Sequence, residues 1–384
     1  MVRPGSPRRQ FGAHRFLMRR MDYAILGRAM PAGADTLHAH RLALLAGCAG
    51  AVAVAVVTVG LAVLRPVAGD APLVMSRQSG ELFVRSGDRL HPVANLASAY
   101  LILGRPATPR LVDDAGLTGI PRGPVLGIPG APPSAGAAMS STDLRWTVCD
   151  DRDGSTTITA ATADDVPELP ARQGVLVTAV DGSVYLLYDG RRASVDPDDP
   201  AVARTLRLDM VTPRPVSSTL LNAVPEVPAI APPQIAGNAV ADSLPVATMP
   251  DDSPTLLDPS GEVCATWRAG RVTIAVGEAR PAAVRLAIGD GGGPNVDAIR
   301  LPAGRWVDVT AGALTTDGGT SGRYLITEAG VRFPVRDSAA AAALGLGPAP
   351  SRVPWVILAA LPSGPELSRE AASVAGDVVA AASP

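Results

Sequence analysis

The residues of this 384-residue chain that could do chemistry are few. It has no lysine, and all of its positive charge is arginine. A phosphate-binding loop of the Walker type sets a lysine against the β- and γ-phosphates, so that device is excluded. The richest glycine run, Gly289 to Asn295 (GDGGGPN), holds no basic residue, and Pro294 obstructs a following helix, so it reads as a surface turn. The histidines are His14, His38, His40 and His91, and no G-x-S-x-G nucleophile elbow accompanies them. The acidic run Asp150-Asp151-Arg152-Asp153 has the look of a calcium loop. Gly154 comes too early for the EF-hand pattern, and no bidentate glutamate closes it, so a solvated turn is expected. Asp196, Asp198 and Asp199 around Pro197 read the same way. The sequence therefore offers no catalytic set, no cofactor-binding set and no metal set.

The elements that carry these residues begin with an apolar run. Leu42 to Leu64 (LALLAGCAGAVAVAVVTVGLAVL) holds 23 residues without a charge, bracketed by Arg41 and Arg65. At a rise of about 1.5 Å per residue, some ~20 apolar residues cross a bilayer core. The rival is a cleaved signal peptide, whose apolar region is about 7–15 residues long after a short basic start. This run is longer, and some forty residues precede it. Arg3, Arg8, Arg9, Arg15, Arg19, Arg20, Arg28 and Arg41 all precede the run, which puts the N-terminus in the cytoplasm by the positive-inside rule. Residues 1–41 then form a basic cytoplasmic arm, 42–64 a transmembrane helix and 65–384 an extracytoplasmic domain. The site is expected in the inner membrane, and His91 is the only histidine on the outer side.

Within the arm, Phe11–Met30 has the spacing of a basic helix, with Phe16, Leu17, Met21, Ile25 and Leu26 recurring near helical period. Arg15, Phe16, Arg19, Arg20 and Ile25 are the candidate partner-binding residues, docking on lipid headgroups or a cytoplasmic protein. The alternative is an arm that only fixes topology. Gly47 and Gly50 permit close helix contact but form no GxxxG.

Cys48 falls inside the apolar run, which leaves Cys149 and Cys264 on the outer side. In an oxidising compartment a disulfide between them is the default, with two unpaired buried thiols as the alternative. Their separation of 115 positions makes such a cross-link worth about 4–5 kcal/mol on chain-entropy estimates. Once they pair, too few ligands remain for a zinc set.

Aromatics make up 3% of the chain, against 37 prolines and 39 glycines. That balance argues for short strands joined by turns around a Val/Leu/Ala/Ile core. The net charge of −2 argues against nucleic acid as a partner. Self-similarity organises the outer part. SGELFVRSGDRLHPVANLASAYLILG from Ser79, DGSVYLLYDGRRASVDPDDPAVARTL from Asp181 and SGRYLITEAGVRFPVRDSAAAAALGLG from Ser321 share a pattern. A second glycine (Gly87, Gly190, Gly330) follows the first (Gly80, Gly182, Gly322) by seven or eight residues, the spacing of a β-hairpin. An Ala/Leu-rich stretch follows. Ile120–Leu126 (IPRGPVL) matches Leu361–Leu367 (LPSGPEL), with Val224–Ile230 a weaker version. Repeat-like units are thus expected at 79–126, 181–230 and 321–367, around a central β region near 261–312. The fold class is α+β.

This order of features resembles EccB, the B component of the type VII (ESX) secretion membrane complex of actinobacteria. The features are a basic arm, one span, LHPVANLASAYL, Gly123–Pro132 (GPVLGIPGAP), Trp146–Asp150 (WTVCD), Val263-Cys264 and Gly330–Val335 (GVRFPV). The resemblance implies an elongated extracytoplasmic domain of ββα-like units, with a disulfide joining the two matching cysteines. It implies assembly with EccC, an FtsK/SpoIIIE-like motor ATPase, with EccD and EccE and with the mycosin protease, to export small helical proteins. The chain departs from the family by ending soon after its last Leu-Pro-Ser-Gly-Pro. Some members are labelled ATPases, and the residues here give that label no support. The leading expectation is a non-catalytic structural subunit that is oligomeric within the complex. A membrane-anchored cell-wall-binding or sensor module is the alternative, and an ATPase the third.

Overall fold

The computed structural model describes residues 7–28, 36–63, 70–133, 137–139, 143–162, 167–170, 172–230, 255–257, 260–278, 283–291, 293–302, 304–315, 319 and 321–376. It divides into two units, residues 1–67 and 68–384.

The first unit holds two helices. α1 (Pro7–Ile25) opens on a proline, whose missing N–H costs nothing in a first turn. α2 (Thr36–Val63) runs for 28 residues and carries most of the expected span. Its side chains are described for residues 43–58, and the boundary at 64–65 lies outside the described residues. Among the described residues no helix is long and apolar enough to cross a membrane.

The second unit is built from four sheets and short helices. Its first sheet holds β1 (Leu73–Ser76), β2 (Leu82–Ser86), β3 (Arg89–Val93) and, after α3 (Leu96–Leu103), β4 (Arg110–Val112), in the order β3-β2-β1-β4. β5 (Ala137–Met139), β6 (Arg145–Asp150) and β7 (Thr156–Ala161) follow. Next come β8 (Gln173–Thr178), β9 (Val184–Tyr188), β10 (Arg191–Val195), α4 (Pro200–Leu206), β11 (Arg214–Pro215), α5 (Ser218–Asn222), β12 (Glu226–Val227) and β13 (Thr255–Leu257). These strands form the second sheet, in the order β11-β8-β9-β10-β12, with β13 also on β8.

β14 (Glu262–Arg268), β15 (Arg271–Gly277), β16 (Val284–Arg285) and β17 (Ala298–Arg300) join β6 and β7 in the third sheet, ordered β15-β14-β6-β7-β17-β16. The last sheet holds β18 (Arg305–Gly312), β19 (Ser321–Ile326), β20 (Arg332–Val335), α6 (Ser338–Ala343) beside it, and β21 (Ser351–Pro354); α7 (Trp355–Ala359) and α8 (Arg369–Ala372) follow. The stretch 261–312 thus does not form one sheet alone. β6 and β7 supply its central strands from more than 100 residues earlier, and β18 belongs to the last sheet.

Three parts of the chain share one topology. Each has a strand, a hairpin, a helix, and a fourth strand parallel to the first: β1–β4, β8–β11 and β18–β21. Each helix starts at a polar side chain that accepts a hydrogen bond from a free first-turn N–H: Asn95, Asp199 and Asp337. In each, a segment then lies parallel to the second hairpin strand, with Leu90 opposite Arg122, Arg192 opposite Glu226 and Arg332 opposite Ser363. Asp189 and Gly190 both take positive φ in the β9–β10 turn, the conformation that a two-residue hairpin loop of Asp-Gly type requires.

The main core joins three sheets. Trp146, Val148 and Ile158 of the third pack with Val175, Val177 and Leu187 of the second and Val307 and Val309 of the last. A second cluster joins the first and last parts. It brings Ala97 and Leu101 of α3 together with Phe333, Ala341, Leu367 and Ala372. Gly376 completes this join by donating its N–H to the Val125 carbonyl at 2.8 Å.

Candidate functional site

Cys149 and Cys264 are Cα partners across the β6–β14 ladder, and a disulfide joins them. Direct opposition in an antiparallel pair brings β-carbons to about 4.5–5.5 Å, close enough for a bridge after modest adjustment. The link ties positions 115 apart, and Thr147 and Thr266 add a hydroxyl pair at 3.0 Å two residues along the same ladder. Cys48 is free and exposed on α2.

The neighbouring Asp150 is buried and holds a polar junction that sequence reasoning missed. Its carboxylate accepts from the Ser217 N–H at 2.6 Å and from the Ser217 hydroxyl at 3.0 Å. Arg214 donates to the Asp150 carbonyl at 3.1 Å and to the Gly261 carbonyl. Burial pushes the Asp150 carboxyl above the usual carboxylate range, against the pull of the Ser217 donors and Arg214. This junction ties the third sheet to the start of α5 in the second repeat. Its partners lie 64 and 67 residues apart, and no local spacing signals them.

Asp151, Asp196 and Asp199 serve the backbone. Asp151 accepts from the N–H groups of Asp153 and Ser155, each at 2.9 Å. Asp196 accepts from the Asp198 N–H at 3.0 Å, and Asp199 caps α4. At the glycine run, Asp297 accepts from the Gly291 N–H, and Asn295 donates to Asp290 at 2.9 Å. His91 lies on β3 with Nδ1 3.2 Å from the Pro124 carbonyl.

The two Pro-x-Gly-Pro landmarks have a steric reason. A β-carbon on Gly123 would strike the His91 ring, and one on Gly364 would strike the Phe333 ring. Arg122 also lies over the Phe83 ring, 4.1 Å from its centroid. Both landmarks were visible as pattern; the aromatic face that demands glycine was not.

Arg15, Phe16, Arg19, Arg20 and Ile25 all lie on α1. Phe16 is 38% exposed and Ile25 82%. Helical spacing puts Arg15, Arg19, Phe16 and Arg20 on one side, while Ile25 falls with Leu17, Met18 and Met21 on the other. Met18 belongs to that apolar row and was not among the expected residues.

Comparisons with known proteins cover almost the whole chain. The family described as "Type VII secretion system ESX-1, transport TM domain B" matches residues 4–241 and 236–381. The ESX-5 secretion system ATPase EccB5 of Mycobacterium marinum (strain ATCC BAA-535 / M) is 30% identical, over 97% of this chain and 94% of that protein. A chain in the structure of an intact ESX-5 inner membrane complex is similar with a TM-score of 0.68 at 26% identity, covering 100% of this chain and 98% of that one. A chain in the structure of the EccB3 dimer from the ESX-3 core complex is similar with a TM-score of 0.65 at 27% identity, covering 79% of this chain and 100% of that one.

Proposed function

The chain belongs to the EccB family of the type VII secretion system, and on that premise we propose that it is a non-catalytic structural subunit of an ESX-type membrane complex. The observation that carries this reading is coverage: the match to a component of an intact ESX-5 inner membrane complex extends over 100% of the chain. The polar groups described above support it. They close helix ends, turns and inter-sheet junctions, and in doing so fix strands to one another. The relatives' names carry the word ATPase. This chain has no lysine and no Walker-type loop, so we read it as structural.

In this reading α2 is the membrane span, the N-terminal arm is cytoplasmic and residues 65–384 lie outside. Residues 43–58 of α2 carry no charge and expose every side chain, and an all-round apolar helix needs an apolar surround. The arm, through Arg15, Phe16, Arg19, Arg20 and Ile25, meets the motor subunit EccC or the lipid headgroups beside it. The outer units, 79–126, 181–230 and 321–367, form the scaffold that meets a second copy of the chain, EccD, EccE and the mycosin protease.

Native electrophoresis of membranes from cells making the whole system tests this. Deleting the chain is expected to collapse the large complex into smaller species, and re-expression to restore it. A complex of unchanged size without the chain would contradict a structural role.

A further inference from the structure

Cys149, Cys264 and Glu262 each offer a ligand atom, and these atoms lie within 4.8 Å of one another. All three residues are buried. Their grouping follows from the strands. Glu262 and Cys264 are two residues apart on β14 and share a face, and Cys149 is the Cα partner of Cys264. Across β15, Cys264 and Glu262 face Ala275 and Gly277. The residues opposite are thus a methyl group and a bare backbone, the two smallest available. Cys149, Cys264 and Ala275 form a small cluster apart from the main core. Glu262 also lines an open cleft of about 480 Å³ with Asp151, Asp153 and Glu278 and with one arginine, Arg152, so the approach carries more negative than positive charge.

We propose that these three side chains bind a thiophilic divalent cation, Zn²⁺ by preference, whenever the disulfide is open. Two thiolates, one carboxylate and a water make a four-coordinate zinc set, with sulfur at about 2.3 Å and oxygen at about 2.0–2.2 Å. In a tetrahedron of those bond lengths neighbouring ligand atoms lie about 3.6–3.8 Å apart, within the spread of these side chains. Opening the disulfide takes two electrons and leaves two thiols: a dithiol supplies the electrons and both protons and closes to its own disulfide, whereas a phosphine supplies the electrons and becomes the phosphine oxide, with water giving the oxygen and the two protons. Zinc then displaces both thiol protons to solvent. The cation offsets three anions that would otherwise crowd one buried place. A carboxylate has about four lone-pair positions, so Glu262 can ligate and keep its other contact. Metal and disulfide are thus alternative clamps between β6 and β14, and the cross-link over 115 positions persists in a reducing setting.

The test uses the full chain in mild detergent, in a Cys48→Ser background, reduced with a neutral thiol-free phosphine. Zn²⁺ is titrated against a chromophoric chelator and Co²⁺ is followed by absorption, while near-ultraviolet circular dichroism reports the fold. The expected result is one Zn²⁺ per reduced chain and none per oxidised chain, with thiolate-to-metal charge-transfer bands for Co²⁺. Glu262→Gln should weaken Zn²⁺ binding about tenfold or more while its disulfide still forms in air. Equal uptake by oxidised and reduced chains, or no uptake by the reduced chain, would overturn the proposal. So would a Glu262→Gln chain that binds as tightly, including the case where reduction has unfolded the protein and the cysteines bind alone.

Discussion

Gly364 lies so close to the ring of Phe333 that no β-carbon fits between them. Gly123 stands in the same relation to His91 at the corresponding place of the first repeat. Phe333 is 4% exposed and packed in the cluster that joins the first and last repeats. Gly364→Ala must therefore move a buried ring, at about 1–3 kcal/mol, the usual scale of overpacking. His91 is only half-buried and its ring can turn aside, so Gly123→Ala is expected to cost less. Thermal midpoints of the two variants check the order. Equal shifts would mean that the rings do not set the cost.

Breaking the Cys149–Cys264 link removes a cross-link over 115 positions. Cys149→Ser and Cys264→Ser should each cost about 2–5 kcal/mol. The bond itself is read by alkylation of the denatured, unreduced chain. Two accessible thiols besides Cys48 would contradict it.

Removing residues 368–384 takes away α8 and the Gly376–Val125 hydrogen bond. The first repeat then loses the cover that Ala372 gives to Ala97 and Leu101. Hydrogen exchange should rise across Leu96–Leu103 and stay unchanged in β8–β10. Unchanged protection of α3 would show that the C-terminal segment holds nothing there.

The hairpins and helix starts were legible because they are local. The glycine spacing marks hairpins, and Gly87, Gly190 and Gly330 all sit at positive φ near those turns. Asn95, Asp199 and Asp337 precede their helices in plain sight. What could not be read is non-local or very short. β6 pairs with β14 across 115 positions at Cys149–Cys264, and nothing near Trp146 announces its neighbour Trp267. The parallel fourth strands β4, β11 and β21 hold 3, 2 and 4 residues, too few for a period to show. The Asp150–Ser217–Arg214 junction has the same long reach.

Arg15, Arg19 and Arg20 form the charged side of α1. Replacing all three by Glu should release the motor subunit from the complex while the outer domain stays folded. A reporter active only outside the cytoplasm, fused after residue 70, checks that topology survives the change. The same reporter fused at residue 35 is expected to stay silent. Activity at 35 would reverse the orientation, and undiminished recovery of the motor with the triple variant would remove the arm as its contact.

As a structural subunit of a type VII secretion membrane complex, this chain should stay bound to its partners in mild detergent. The most direct measurement is purification of the tagged full chain in mild detergent from cells that make the system, followed by quantitative mass spectrometry. The motor ATPase and the other membrane subunits are predicted to co-purify in fixed ratios. Recovery of the chain alone, from cells shown to contain those subunits, would contradict the claim.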